Sequence, residues 1–322
     1  MASVRLKDRL KQGLFLLDGA MGTELIARGV EPGTCNDYLN VESPDIVFDI
    51  HCAYFRAGSN AVLTNTFGAN KYALTRHGLG EWAEEINRAG AQIARQAARE
   101  ISNFESRISN FGPYVLGDIG PSGDFLQPLG NLQPEQLKAA FADQAKSLLA
   151  GGVDGFIIET MTALDEAEIA IEAVKSICGE LPVLVSFAFD RLGSDFRTMM
   201  GVDVESAILS AVSLEVDAVG FNCGTASLNE YVELAKKFVS TVRALEKNRA
   251  TSDERRVTIC AEPNAGRPEL VDGRAVYMVS PEDFAAAADK IHSAGVNIIG
   301  GCCGTGPKHI AVVSRKLRKQ GC

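Results

Sequence analysis

Cys302 and Cys303 stand side by side in "GGCCGTG" (300–306), and a third cysteine, Cys223, closes the motif "GFNC" (220–223). Successive residues of a strand point to opposite faces, so two adjacent thiols can be aimed at one place only where the chain leaves strand geometry. Gly300, Gly301 and Gly304 flank the pair and supply that freedom. Three thiolates from two separate segments suit a zinc ion with three protein ligands and one open position, the arrangement of catalytic rather than structural zinc. The competing readings are a pair of small buried apolar residues or an oxidation-prone exposed pair. Eight cysteines in 322 residues are too sparse for a disulfide-stapled scaffold, and in a reducing compartment paired cysteines point to metal or catalysis. Cys35, Cys52, Cys178, Cys260 and Cys322 have no comparable setting, although Cys260 lies inside an apolar run and is placed to face an interior.

The elements that must position these thiols can be read from the alternation of short apolar runs with longer segments of helical period. The runs are "LFLLD" (14–18), "AVLTNTF" (61–67), "YVLGDIG" (114–120), "GFIIET" (155–160), "PVLVSFAF" (182–189), "DAVGFNC" (217–223), "VTICAEPN" (257–264) and "VNIIGGCC" (296–303). Helices are expected over 81–101, over 133–152 with Leu137, Phe141, Leu148 and Leu149 on one face, and over 280–295 with Ser280 as N-cap and Asp283 three residues on. Eight strand-helix units with both strand faces apolar predict a single-domain (β/α)8 TIM barrel over residues 1–322, with a doubly wound open sheet as the alternative. The charged stretch 245–256 reads as a solvated loop before the seventh strand, and the ISNF repeat within 101–111 is too short to be architectural.

In such a barrel the active site is assembled at the carboxyl ends of the strands. Asp18, Asn65, Thr66, Asp118, Glu159, Thr160, Cys223, Glu262, Asn264, Cys302 and Cys303 all fall there. The sixth and eighth strands lie two apart around the ring, so their three cysteines can meet. A hydrophobic content of 46% provides for a large core, and a net charge of −9 argues against nucleic-acid or anionic-membrane surfaces. The opening "MASVRLKDRLKQG" has no apolar core of signal-peptide length, and no run of about 20 apolar residues occurs, so a cytoplasmic location and no membrane partner are expected.

The motifs "LDGAMGTEL" (17–25), "TNTFGAN" (64–70), "GDIGPSG" (117–123), "IIET" (157–160), "GFNC" (220–223), "PNAG" (263–266) and "GGCCGT" (300–305) resemble, in order, those of the homocysteine S-methyltransferase family. The resemblance spans about residues 10–315. It is strongest, through "PNAG" and "HCAYFRAGSNAVLTNTF" (51–67), to the homocysteine-binding module of cobalamin-dependent methionine synthase; the further modules of that enzyme have no counterpart in this chain. The resemblance implies that Cys223, Cys302 and Cys303 are zinc ligands and that homocysteine is methylated to methionine. It also places Asp18 and Glu159 near the substrate ammonium and the backbone N–H groups of Gly19 and Ala20 at its carboxylate. The alternatives are an N-cap role for Asp18 and a barrel-end salt bridge for Glu159. Asn264 is either a fourth metal ligand in the absence of substrate or a plain turn asparagine. Asn65 and Thr66 are weaker candidates for the pocket wall.

This chemistry has a physical basis. A free thiol with a pKa of about 8.5 is only slightly ionised at neutral pH, whereas methyl transfer needs the thiolate. A metal at the thiol favours loss of its proton, and a tricysteinate site withdraws little density from a fourth sulfur. The donor implied by the resemblance is methylcobalamin on a separate corrinoid protein, with S-methylmethionine or a betaine-like onium compound as alternatives. The four histidines, His51, His77, His292 and His309, form no cobalamin-ligating motif; His309 reads as the start of the last helix. Two readings from other classes are a phosphate cradle at "GGCCGTG", which leaves the cysteines unused, and a non-catalytic zinc- and homocysteine-binding subunit of a corrinoid complex.

Overall fold

The computed structural model describes residues 4–104, 112–248, 257–271 and 274–319. Its strands are β1 (Phe15–Leu16), β2 (Ala61–Leu63), β3 (Tyr114–Ile119), β4 (Gly155–Met161), β5 (Val183–Phe187), β6 (Asp190–Leu192), β7 (Asp195–Arg197), β8 (Ala218–Asn222), β9 (Thr258–Glu262), β10 (Glu269–Val271), β11 (Arg274–Val276) and β12 (Ile298–Ile299). The eight apolar runs become β1, β2, β3, β4, β5, β8, β9 and β12, which form one parallel sheet in the order β1-β12-β9-β8-β5-β4-β3-β2.

The two ends of this order meet. Asn60 donates its backbone N–H to Leu16 O at 2.6 Å and accepts from Leu16 N through Oδ1 at 2.9 Å. Asp18 Oδ2 accepts from Leu63 N at 3.0 Å. The sheet is therefore a nearly closed barrel surrounded by helices, a (β/α)8 TIM barrel, and the open-sheet alternative is excluded.

The strands read as continuous apolar runs because both faces are buried. Alternate residues Leu116, Ile157, Leu184, Ala218, Cys260 and Ile298 fill the barrel, together with Leu6 and Leu10 from the N-terminal segment. Their neighbours Val115, Ile158, Val185, Val219, Ile259 and Ile299 face the helices in the main core. The expected helices appear as Ala83–Phe104, preceded by a 3-10 turn at Gly80–Trp82, and as Pro134–Gly151 and Pro281–Ala294. Ser280 Oγ accepts from Asp283 N at 3.1 Å, as its N-cap role requires.

Three expectations are corrected. Leu149 is 37% exposed while Leu137, Phe141 and Leu148 are fully buried, so the apolar face of that helix is narrower than the sequence implies. Residues 245–248 belong to the helix Leu228–Asn248 rather than to a loop. Two antiparallel hairpins, β6–β7 and β10–β11, rise from the loops after β5 and β9 and have no counterpart in the sequence reading. Residues 249–256, Cys322 and the second ISNF copy lie outside the described residues.

Candidate active site

β9 lies between β8 and β12 in the sheet, and this places Cys223 beside the Cys302–Cys303 pair. The backbone stitches the three segments together. Cys223 N donates to Glu262 O at 3.3 Å, Cys302 N to Pro263 O at 2.9 Å, and Ala265 N to Cys303 O at 2.9 Å. Cys223 has φ 51°, a left-handed conformation uncommon for a residue with a side chain, which marks a constrained turn at the strand end. Gly304 has φ 79°, whereas Gly300 and Gly301 serve close approach: a Cβ on Gly300 would lie 2.8 Å from Leu17 Cβ, and one on Gly301 2.6 Å from Thr305 Oγ1.

The three sulfurs lie within 4.8 Å of one another, and all three cysteines are half-buried. A tetrahedral zinc with Zn–S bonds of about 2.3 Å separates its sulfurs by roughly 3.8 Å, a spacing compatible with this cluster. Cys303 is drawn down to about 3 by hydrogen bonds from the Cys223 and Cys302 thiols, with a further bond to Tyr277. For Cys223, the bond with Cys302 lowers the pKa, but the bond with Cys303 and burial outweigh it and lift it to about 12. Cys302 is pushed up by its bonds to Cys223 and Cys303 and by burial. Left to itself the trio ionises once with ease and resists further ionisation; a dication at its centre makes three thiolates favourable. Asn264 Oδ1 is buried with no hydrogen-bond partner, while its Nδ2 donates to Gly224 O at 2.7 Å. The donor set, three sulfurs and an orphaned amide oxygen nearby in the chain path, fits a zinc ion.

Beside the thiols, Asp18, Asp118, Glu159 and Glu262 converge as a buried carboxyl cluster. Burial raises all four, and repulsion from neighbouring carboxylates adds to it for Asp18, Asp118 and Glu262. Glu159 reaches about 7, through burial and the charge of Cys303. Among the described residues no Lys or Arg forms an ion pair with any of the four, and Asp118 Oδ1 and Glu262 Oε1 have no hydrogen-bond partner. A cluster this rich in acid and this poor in cations accommodates a cationic group of a ligand. The salt-bridge reading of Glu159 is therefore not realised; its Oε2 instead accepts from Asn222 Nδ2 at 2.6 Å. Asn222 also donates to Thr160 Oγ1 at 2.6 Å and accepts from Thr160 N and Ser186 Oγ at 2.9 and 2.8 Å.

Asp18 does not cap the following helix. Met21–Ala27 has Ala20 as its N-cap, without a side-chain bond, and Asp18 braces the seam of the barrel through Leu63. Gly19 packs against Thr305 and Tyr54, where an added Cβ would lie 2.7 Å from Thr305 Oγ1, and Ala20 N donates to that hydroxyl at 3.2 Å. Thr305 Oγ1 in turn donates to Cys302 O at 2.6 Å, so the "DGAMG" turn and the cysteine pair are one unit. Asn65 Nδ2 donates to Asn36 O and Asn40 Oδ1, and Thr66 Oγ1 to Asp118 O; these side chains hold loops in place. Cys260 faces the barrel interior and stands apart from the thiol trio. His309 accepts from Gly306 N through Nδ1 at 3.1 Å, which leaves Nε2–H to donate to Val279 O at 3.2 Å.

Sequence reasoning did not assign Asn222, Tyr277 or Thr305 to the site. Asp118 and Glu262 were visible as strand-end acids, and their position was the available signal.

A model of the homocysteine S-methyltransferase family matches residues 15–317. The methionine synthase of Mycobacterium tuberculosis is 32% identical over 324 residues, covering 96% of this chain and 25% of that protein. That of Mycobacterium leprae is 32% identical over 329 residues, covering 98% and 25%. This chain thus spans about a quarter of the length of those relatives. Among solved structures, the metallated form of the homocysteine methyltransferase MmuM from Escherichia coli superposes with a TM-score of 0.75 at 22% identity, covering 95% of this chain and 97% of that one, which shows a shared fold. With its match running from β1 to the last helix and through every segment that bears a site cysteine, the chain belongs to the homocysteine S-methyltransferase family.

Proposed function

We propose that this chain methylates homocysteine at sulfur to give methionine, with Cys223, Cys302 and Cys303 holding a zinc ion and Asp18, Gly19, Ala20, Glu159 and Asn264 forming the substrate site. The observation that carries the reading is the meeting of three sulfurs within 4.8 Å beside a carboxyl cluster with which, among the described residues, no Lys or Arg forms an ion pair. Zinc bound there supplies the Lewis acidity that lets the thiol of homocysteine give up its proton to solvent near neutral pH.

The remaining work falls to the chain. The substrate ammonium pairs with Glu159, whose carboxyl is held near its protonation midpoint by burial until a cation arrives. Asn222 fixes the orientation of Glu159 and ties it to the strand that carries Cys223. Thr305 occupies the N–H of Ala20, so a substrate carboxylate at that turn shares or displaces its hydroxyl. Asn264 Oδ1, with no partner of its own, is available to the metal when no substrate sulfur is present. The substrate sulfur attacks an electrophilic methyl carbon, and the bond to the leaving group breaks with its electron pair. The thioether product has no ionisable sulfur and is the weaker ligand, which favours its release.

The methyl donor in this reading is methylcobalamin on a separate corrinoid protein, supported by the similarity to methionine synthases. S-methylmethionine and betaine-like compounds are the other donors of matching chemistry. The thiol trio needs a reducing setting, as the cytoplasm provides. No described helix is long and apolar enough to cross a membrane.

The test is to incubate zinc-loaded, fully reduced protein with homocysteine and each donor in turn. Methionine formed from one donor supports the reading and names the donor. Zinc and homocysteine binding with no methionine from any donor would replace it with a non-catalytic subunit, and failure to bind metal would end it.

A further inference from the structure

The turn "DGAMG" (18–22) carries three successive peptide planes, each held by a different group of the protein. Asp18 O accepts from Gly301 N at 2.9 Å, and Ala20 N donates to Thr305 Oγ1 at 3.2 Å. Ala20 O accepts from the hydroxyl of Tyr54 at 2.9 Å. Two of these anchors belong to the cysteine turn. The third comes from the helix Pro44–Ala57, 34 residues further along the chain. The same hydroxyl lies 3.3 Å from Thr305 O, so it stands between the carbonyls of the two turns.

Tyr54 is fully buried, and the end of its ring lies against Gly19, where an added Cβ would sit 3.0 Å from the hydroxyl oxygen and 3.1 Å from Cε1. The helical bond that Ala20 O also receives, from Glu24 N, is stretched to 3.4 Å, so the phenol is the nearer donor to that carbonyl. A trans peptide sets its N–H opposite its C=O. Holding Asp18 O on the cysteine turn therefore aims Gly19 N–H away from that turn, and holding Ala20 O on Tyr54 fixes the plane that follows. Among the described residues Gly19 N–H meets no backbone acceptor.

We propose that Tyr54 is a positioning residue for the substrate carboxylate: its hydroxyl locks the last peptide of the turn, so that the N–H groups of Gly19 and Ala20 are held in one orientation before the ligand arrives. A preorganised pair of donors spares the ligand the cost of ordering them. Without the hydroxyl, Ala20 O keeps only the long helical bond, the peptide swings more freely, and its order must be restored when the carboxylate binds. The thiol and the ammonium are held elsewhere, by the metal and by Glu159, and do not depend on Tyr54. The proposal rests on the substrate site proposed above.

The test compares, by calorimetry on the zinc-loaded full chain, the binding of homocysteine and of its decarboxylated analogue aminopropanethiol, which keeps the thiol and the ammonium. The ratio of the two dissociation constants isolates the carboxylate. Tyr54→Phe keeps the ring on Gly19 and removes only the hydroxyl. The variant is expected to retain zinc as the wild type does and to bind the analogue equally well, while its preference for homocysteine falls about 2- to 10-fold, the worth of one hydrogen bond. An undiminished preference in Y54F overturns the proposal, and so does an equal loss of affinity for both ligands, which a merely structural tyrosine would produce. A wild type that binds both ligands alike overturns the assignment of the carboxylate to this turn, and one that binds neither overturns the homocysteine reading itself. Should Y54F not fold, Gly19→Ala carries the test: its methyl group would crowd the Tyr54 hydroxyl and Thr305 Oγ1 and push the turn off both anchors, so the preference should fall by at least as much. An unchanged preference in G19A overturns the proposal.

Discussion

Cys223 sits in a left-handed turn, packed so that Tyr231 donates its hydroxyl to Cys223 O at 2.6 Å. Cys223→Ser keeps that turn and the side-chain size while replacing a soft thiolate with a poor zinc ligand. Metal retained after dialysis should fall well below one equivalent, and methionine formation should drop by more than ~100-fold, the upper end for loss of a mere outer partner. Cys260→Ala is the control: it removes a sulfur inside the barrel and should cost stability while leaving metal content unchanged. Glu159→Gln separates binding from chemistry. If the carboxylate pairs with the substrate ammonium, KM for homocysteine should rise about 10- to 100-fold, as expected for a charged hydrogen bond of about 1.5–3 kcal/mol, with little change in metal content. An unchanged KM would remove Glu159 from the substrate site. The three thiols and these acids were legible because strand ends of a barrel are where chemistry collects. The role of Asp18 at the seam was not, since its bond to Leu63 exists only once the first and second strands meet.

At the scale of elements, the barrel strands were readable because a parallel strand buried on both faces leaves an uninterrupted apolar run. The rim hairpins were not. β6–β7 and β10–β11 are three residues per strand, mix charged with apolar side chains, and sit on loops where no core face imposes a period. Exposed Leu192 and Leu270 illustrate the point: their hydrophobicity signals nothing about burial. Helix Pro134–Gly151 offers a sharper test of which face carries the packing. Leu148→Ala should cost about 2–5 kcal/mol in denaturant unfolding, while Leu149→Ala, one residue on and exposed, should stay within ~0.5 kcal/mol. Equal losses would mean that the helix is rotated. Gly304→Ala addresses the cysteine turn, where both φ 79° and the Tyr277 ring exclude a side chain. It should destabilise the protein by roughly 1–3 kcal/mol and weaken metal binding in the same variant. A variant of undiminished stability and affinity would show that the close approach is dispensable.

Among the described residues no Lys or Arg pairs with the buried acid cluster, and this contributes to the response of the whole molecule to pH. Asp18, Asp118, Glu159 and Glu262 all have raised pKa values in the folded state, chiefly through burial, and Asp37 nearby is raised to about 6. For a carboxyl raised on folding, the native state binds more protons than the unfolded chain between the two pKa values. Stability therefore falls as pH rises through that window, which for Glu159 runs from the ordinary 4.5 to about 7. His51 opposes this from the acid side. It is fully buried with neither ring nitrogen bonded, and burial lowers it to about 3, so stability is lost as pH falls from 6.5 toward that value. Cys303, ionised in the fold and protonated in the unfolded chain, adds stability as pH rises over the same range, so the share of Glu159 is read as a difference between wild type and variant: its own contribution declines from about pH 5 to about pH 7. Glu159→Gln should flatten that decline because it removes one of the ionising groups. Homocysteine should flatten it too, since its ammonium favours the ionised carboxylates, so its stabilising effect should grow with pH across the same range. A stability profile whose pH dependence is unchanged by Glu159→Gln, or a homocysteine effect independent of pH, would show that the cluster is compensated by some other charge and does not await a cationic ligand.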